Sequence, residues 1–243
     1  MIGTLTLSRL EMLRVLRNKR YLIFTIGLPA VLYVSFGRST TAFANGVAFK
    51  AFYMVAMASM GAFSGALTGN AQRISQERKD GWIRQLRISA LPASAYVTAK
   101  ILASLVTSVP SVLIVLLLGR FYGGIHLALW QWLTIGVAIW LGSTTFAALA
   151  VAIGYRFMPD TVQPMTMFIY LVMSVLGGIW FSLGHSGLQK IGQVLPTYQI
   201  VKIGTTVIGG SSVPMSAVAI IAAWLAGFVV LAAVSVRSTA EKI

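Results

Sequence analysis

Stretches of about twenty apolar residues recur along this chain, and nearly all of its charge falls between them. A stretch of that length crosses the roughly 30 Å hydrocarbon core of a bilayer as a helix. Inside lipid the backbone must satisfy its own hydrogen bonds, so the choices narrow to helices or a closed barrel. A barrel would read as short alternating segments, and the runs here are long and continuous. The apolar runs predict membrane spans at residues 21–37, 47–69, 93–118, 128–153, 162–181 and 214–236. The expected fold class is therefore an all-α membrane protein, one transmembrane domain over residues 1–243 with six transmembrane helices.

Between the runs lie segments of different character. Residues 1–20 are amphipathic, with Glu11, Arg14 and Asn18 on one helical face and Leu5, Met12, Leu13 and Leu16 roughly opposite. That pattern predicts an elbow helix lying in the membrane interface. A secretory leader would also begin with basic residues and an apolar run, and Ala42-Phe43-Ala44 resembles a cleavage site; the segment is read here as retained. Residues 184–212 hold two short amphipathic pieces split by Pro196, each too short to span, which suggests a re-entrant hairpin. Leu188, Ile191, Leu195, Pro196 and Tyr198 are its candidate gate residues.

Residues 73–91 form the longest charged segment, with Arg73, Glu77, Arg78, Lys79 and Asp80 in its first half. Charge of this density is expected to project into water. Basic residues mark the cytoplasmic side of a helical membrane protein. Fourteen of the nineteen Lys and Arg, and all five acids, fall on the side holding both termini and residues 73–91. That side is expected to be cytoplasmic, in a multi-pass protein of the plasma membrane. The net charge of +14 is thus assigned to topology and contact with anionic membrane lipids rather than to nucleic acid.

The chemistry available is limited. There is no cysteine. His126 and His185 are isolated, so no metal site is expected. No phosphate-binding loop of the G-x-x-x-x-G-K-[ST] form is present, and no nucleophile–base pair stands out. No carboxylate is expected inside a span, which argues against ion-driven transport. The polar residues of the spans are neutral. Ser64, Thr68, Asn70, Gln163, Thr166 and Tyr170 are candidates for a translocation path, with helix–helix hydrogen bonding as their simpler role. Gly61, Gly65 and Gly69 recur four apart, a flat stripe for close helix approach, either within the chain or at a subunit interface. A protein of this kind that does work must receive its energy from another subunit, and the charged segment is the natural docking surface.

The order of these elements resembles the type-2 permeases of ATP-binding-cassette (ABC) exporters. The resemblance rests on the elbow, the six spans, and the stretch Glu77-Arg78-Lys79-Asp80-Gly81-Trp82, followed by Gln85-Leu86-Arg87-Ile88, Ala90-Leu91-Pro92 and Lys100. It implies that residues 73–91 form a cytoplasmic coupling helix seated in a separate ATPase. The coupling residues would be Arg73, Glu77, Arg78, Lys79, Asp80, Gly81, Trp82 and Leu86. Gly81 can end a helix in a left-handed conformation, and Trp82 and Leu86 share a helical face. It further implies two ATPase copies carrying Mg-ATP, a second permease subunit, identical or paralogous, and no cofactor or enzymatic activity in this chain. Bacterial relatives of this length typically export drugs, antibiotics, peptides or lipids. One departure is that residues 181–186 lack the proline often found after span five. The rival expectation is a membrane anchor or sensor that recruits a cytosolic partner without transport.

Overall fold

The computed structural model describes residues 23–37, 47–81, 93–180 and 187–240. The elbow (1–20), Trp82 and Leu86 lie outside the described residues, and the side chain of Leu188 is likewise not described. Every long regular element among the described residues is a helix. A π-helical turn, Ile23–Gly27, leads into α1 (Leu28–Phe36). Next come α2 (Phe49–Ser64), a second π-helical turn (Gly65–Gly69) and α3 (Asn70–Lys79). The remaining helices are α4 (Ala93–Phe121), α5 (Leu129–Arg156), α6 (Pro159–Leu176), α7 (Gly187–Gly192), α8 (Pro196–Ile208) and α9 (Met215–Ala240).

Among the described residues, four helical stretches are long and apolar enough to cross a membrane: Phe49–Lys79, Lys100–Phe121, Leu129–Arg156 and Met215–Val236. The other two expected spans come out shorter. The described apolar part of the first is Thr25–Phe36. The fifth starts at Pro159 rather than 162, and its first turns hold Asp160, Gln163 and Pro164. It stops at Gly177-Gly178, where Gly178 takes φ +70°. Its 18 residues reach about 27 Å at 1.5 Å per residue.

The largest difference from the sequence reading is the end of the second span. Expected to stop at residue 69, the helix instead continues unbroken from Phe49 to Lys79, 31 residues. That is about 46 Å of helix, some 16 Å more than the hydrocarbon core requires. The glycines at 65 and 69 bracket the π-helical turn rather than ending the helix. An extra residue in a turn shifts the faces on either side, which is how π-bulges act within α-helices. The charged α3 is therefore a rigid extension of a span.

α5 is the axis of the bundle and packs against α2, α3, α4, α6, α8 and α9. Its small residues allow this. A Cβ on Gly142 would sit 2.5 Å from Ile200 Cδ1 on α8, and one on Gly154 would sit 2.8 Å from Ile74 Cβ on α3. Gly204 of α8 meets Val55 of α2 in the same way, at 2.5 Å. Contacts of this kind bring backbones close where lipid gives helices no hydrophobic reason to associate. The centre is filled by Phe63 and Phe146, stacked with ring centroids 4.5 Å apart. α9, by contrast, leaves Val229, Val230, Leu231 and Val234 exposed.

The two short helices expected within 184–212 are α7 and α8, with Pro196 in the first turn of α8. α8 runs antiparallel to α5, with Ile200 against Gly142 and Gln131 Nε2 donating to the Val207 carbonyl at 2.7 Å. The turn before α8 is held from two sides. Thr197 Oγ1 donates to the Met173 carbonyl of α6 at 2.8 Å, and Trp224 Nε1 of α9 donates to the Val194 carbonyl at 2.7 Å.

Candidate functional site

The end of α3 gathers most of the charged residues that the sequence singled out, and the structure divides them into inward and outward sets. Glu77 points inward. Its Oε1 accepts a hydrogen bond from Lys100 Nζ at 2.7 Å, and both side chains are almost fully buried, 6% and 2% exposed. This corrects the expectation that the whole charged segment faces water, and that no carboxylate is enclosed by the spans. The cause is Lys100. A lone ammonium inside a helix bundle is costly, and a carboxylate at contact distance offsets much of that cost. Lys100 heads a buried polar stripe on α4 that continues through Ser104, Thr107, Ser108 and Ser111. That stripe was missed from sequence. Its signal was present, because one lysine near the start of an otherwise apolar span requires a partner.

Arg78 and Ser75 turn toward the α5–α6 connection. The Phe157 carbonyl accepts from Ser75 Oγ at 2.8 Å and from Arg78 Nη2 at 2.7 Å. Phe157 caps the C-terminus of α5 in an extended conformation. Carbonyls at a helix C-terminus lack an intrahelical partner and carry partial negative charge, so a guanidinium is well matched to this position. Arg73 Nε donates to the Gly69 carbonyl at the end of the π-helical turn, at 3.2 Å. Two of these three donors thus fix α3 to α5, and the third closes the helix's own irregular turn. The Ile74 contact with Gly154 presses the two helices together at the same level.

Lys79 and Asp80 face outward and are exposed. Asp80 Oδ1 accepts from Gln76 Nε2 at 2.9 Å, one turn back. The helix then stops, with Gly81 at φ +74° and nothing within 4 Å of the position its Cβ would take. The left-handed residue and the Gly81 amide bond to the Arg78 carbonyl, at 3.2 Å, end α3 in a sharp turn.

The other candidates do not form one site. Gly61 is internal, its missing Cβ replaced by Ser111 Oγ of α4 and the Thr25 carbonyl. Gly65 is buried and Gly69 half-buried. Asn70 is buried, Ser64 and Thr68 are half-buried, and Gln163 is exposed. Thr166 Oγ1 is bonded to the Val162 carbonyl of its own helix at 2.8 Å. Asn70 Nδ2 and Tyr170 Oη are enclosed with no hydrogen-bond partner among the described residues. None of these six lines the open groove between α4 and α5. Among the gate candidates Pro196 is buried, Leu195 and Tyr198 are half-buried, and Ile191 is exposed.

This arrangement of a charged, rigid helix tip on an apolar bundle coincides with a family match. Residues 37–236 fit the family model described as ABC-2 family transporter protein. The chain belongs to the ABC-2 transporter family. It is also similar to the protein of Bacillus subtilis (strain 168) named "Putative transport permease YvfS", with 28% identity over 224 residues that make up 91% of each chain. The ABC-2 chain is thus a membrane transport component and not itself an ATPase, and the family implies partnership with an ABC ATPase.

Proposed function

We propose that this chain is the permease subunit of an ABC exporter, moving a hydrophobic or amphiphilic substrate such as a drug, antibiotic, peptide or lipid out of the cell. ATP hydrolysis in two partner subunits drives the movement, and a second permease, identical or paralogous, completes the path. Both termini and the α3 tip face the cytoplasm. α7 and α8 form the outer re-entrant hairpin. The observation that carries this reading is the clamp on α3. A helix 31 residues long exceeds the roughly 30 Å a hydrocarbon core requires and is pinned at its tip to α4 through Glu77–Lys100 and to the α5–α6 connection through Arg78 and Ser75. A push on the tip is then delivered to three spans at once. In this reading Lys79, Asp80, Gly81, Trp82 and Leu86 meet the ATPase, while Glu77 and Arg78 hold the tip in place and Arg73 braces the π-helical turn behind it.

The test is reconstitution of the full complex in vesicles. Trp82→Ala is expected to weaken ATPase binding. Arg78→Ala is expected to preserve binding but to reduce ATP-driven substrate movement, because the tip loses its guanidinium tie to Phe157 and keeps only that of Ser75. Unchanged transport in both variants would refute the coupling role. Stable ATPase binding with no ATP-dependent movement of any amphiphile by the wild type would instead favour a recruiting anchor.

A further inference from the structure

We propose that the outward-facing groove between α4 and α5 holds one acyl chain of an anionic phospholipid, with Arg120 binding its phosphodiester. The inference rests on the membrane setting and not on the transport reading. The groove has a volume of about 640 Å³ and is almost wholly apolar. Leu113 and Leu117 of α4 and Leu133 and Val137 of α5 form its walls, each about half exposed. From Val109 to Phe121 and from Leu129 to Trp140 the walls run roughly 16–18 Å at 1.5 Å per residue. One leaflet of hydrocarbon is about 15 Å deep, so the groove matches a single lipid tail lying along the helices.

The mouth supplies the headgroup chemistry. Arg120 is an exposed lining residue at the last turn of α4. Among the described residues its one partner is His126, whose Nδ1 lies 3.1 Å from Nη1. That contact requires the imidazole tautomer with Nδ1 as acceptor, which leaves Nε2–H directed elsewhere. The described carboxylates, Glu77, Asp80 and Asp160, all lie at the opposite end of the helices. Arg120 therefore has spare donors, a fixed position and no anion from this bundle. A phosphodiester fits the guanidinium fork, which binds phosphate through paired N–H groups. Trp130 and Trp132 stand beside the mouth, at the level where indoles favour the headgroup boundary. A zwitterionic lipid carries a compensating cation, so charge selects the anionic class.

The site is tested on the purified full-length chain in detergent micelles, with native mass spectrometry counting bound lipid. The probes are dioleoyl phosphatidylglycerol and dioleoyl phosphatidylcholine. Wild type is expected to bind the glycerol lipid about tenfold more tightly, because the choline ammonium of the other lipid opposes the Arg120 charge. Arg120→Gln is expected to abolish that preference, and Arg120→Lys to retain part of it. Gly136→Leu tests the groove itself. A Cβ there lies 3.5 Å from Leu116 Cδ1, so the larger side chain fits and occupies the groove, lowering the binding of both lipids. Lys50→Gln, a charge change at the same end, is expected to leave the preference intact. Equal binding of the two lipids by wild type would overturn the proposal, as would a preference surviving both Arg120→Gln and Gly136→Leu. The chain has no cysteine, so Leu117→Cys reports cleanly on a second copy. Cross-linking between two chains at this position in membranes would show that protein, not lipid, covers the groove, and would also overturn it.

Discussion

Replacing Lys100 by Met should expose the balance of forces at the α3 tip. The Glu77–Lys100 pair has a 2.7 Å contact and both side chains are buried. Two unit charges at that separation attract by about 6 kcal/mol at an effective dielectric constant near 20. Desolvation of the two ions cancels much of this, so the net worth of the intact pair is small. The asymmetry lies in breaking it. Lys100→Met takes the ammonium from a buried carboxylate, and Glu77→Gln takes the carboxylate from a buried ammonium, each costing about 3–5 kcal/mol. The double variant removes both charges and should recover most of the loss. The assay is a double-mutant cycle on unfolding of the detergent-solubilised chain in increasing dodecyl sulfate. Single losses within these limits, and a coupling energy above about 2 kcal/mol, are expected. Two small single effects that simply add would refute the reasoning, because the groups would then be solvated and independent. If the clamp also transmits force, the double variant should fold well yet couple ATP hydrolysis poorly to transport, since a Met–Gln contact does not hold the tip at one angle.

Gly154→Val should separate α3 from α5. Its Cβ would lie 2.8 Å from Ile74 Cβ and 2.9 Å from the Ala71 carbonyl, an overpacking cost of about 1–3 kcal/mol visible as a lower melting temperature. Gly81→Ala meets no atom but must hold φ +74°, so it should cost about 1–2 kcal/mol through backbone strain alone. Gly81→Asn should recover part of that in the same melting assay, as asparagine tolerates the left-handed region. Gly204→Leu should displace α8 from α2, because Val55 Cγ1 lies 2.5 Å from the new Cβ. Limited proteolysis near residues 187–208 should then become faster than in wild type.

How far the fold was legible depended on the range of the physics involved. Helical class, the long apolar helices and the split at Pro196 follow from local composition and from proline's missing N–H, and they emerged at nearly the expected places. The left-handed turn at Gly81 was also readable, since only a few residue types adopt it freely. The end of the second span was not. Polar residues from 70 onward look like a loop, yet the helix persists because Ile74, Ser75 and Arg78 find partners on α5 and in the α5–α6 connection. The six path candidates were chosen for polarity, and polarity alone does not say whether a hydroxyl bonds its own helix, as Thr166 does, or faces a cavity.

By itself the sequence determined that this chain is helical and belongs in a membrane. Those conclusions need only transfer energies and backbone satisfaction. Tertiary structure alone decided what the charged segment is. Residues 23 apart in the chain, Glu77 and Lys100, meet in the interior, and a carbonyl 79 residues from Arg78 receives its guanidinium. The energy of such contacts depends on which helices are neighbours and at what depth. No local window of residues contains that information, and for this reason residues 73–79, which read as part of a solvated hinge, are in fact a helix tip with one face locked to the bundle and the other left exposed.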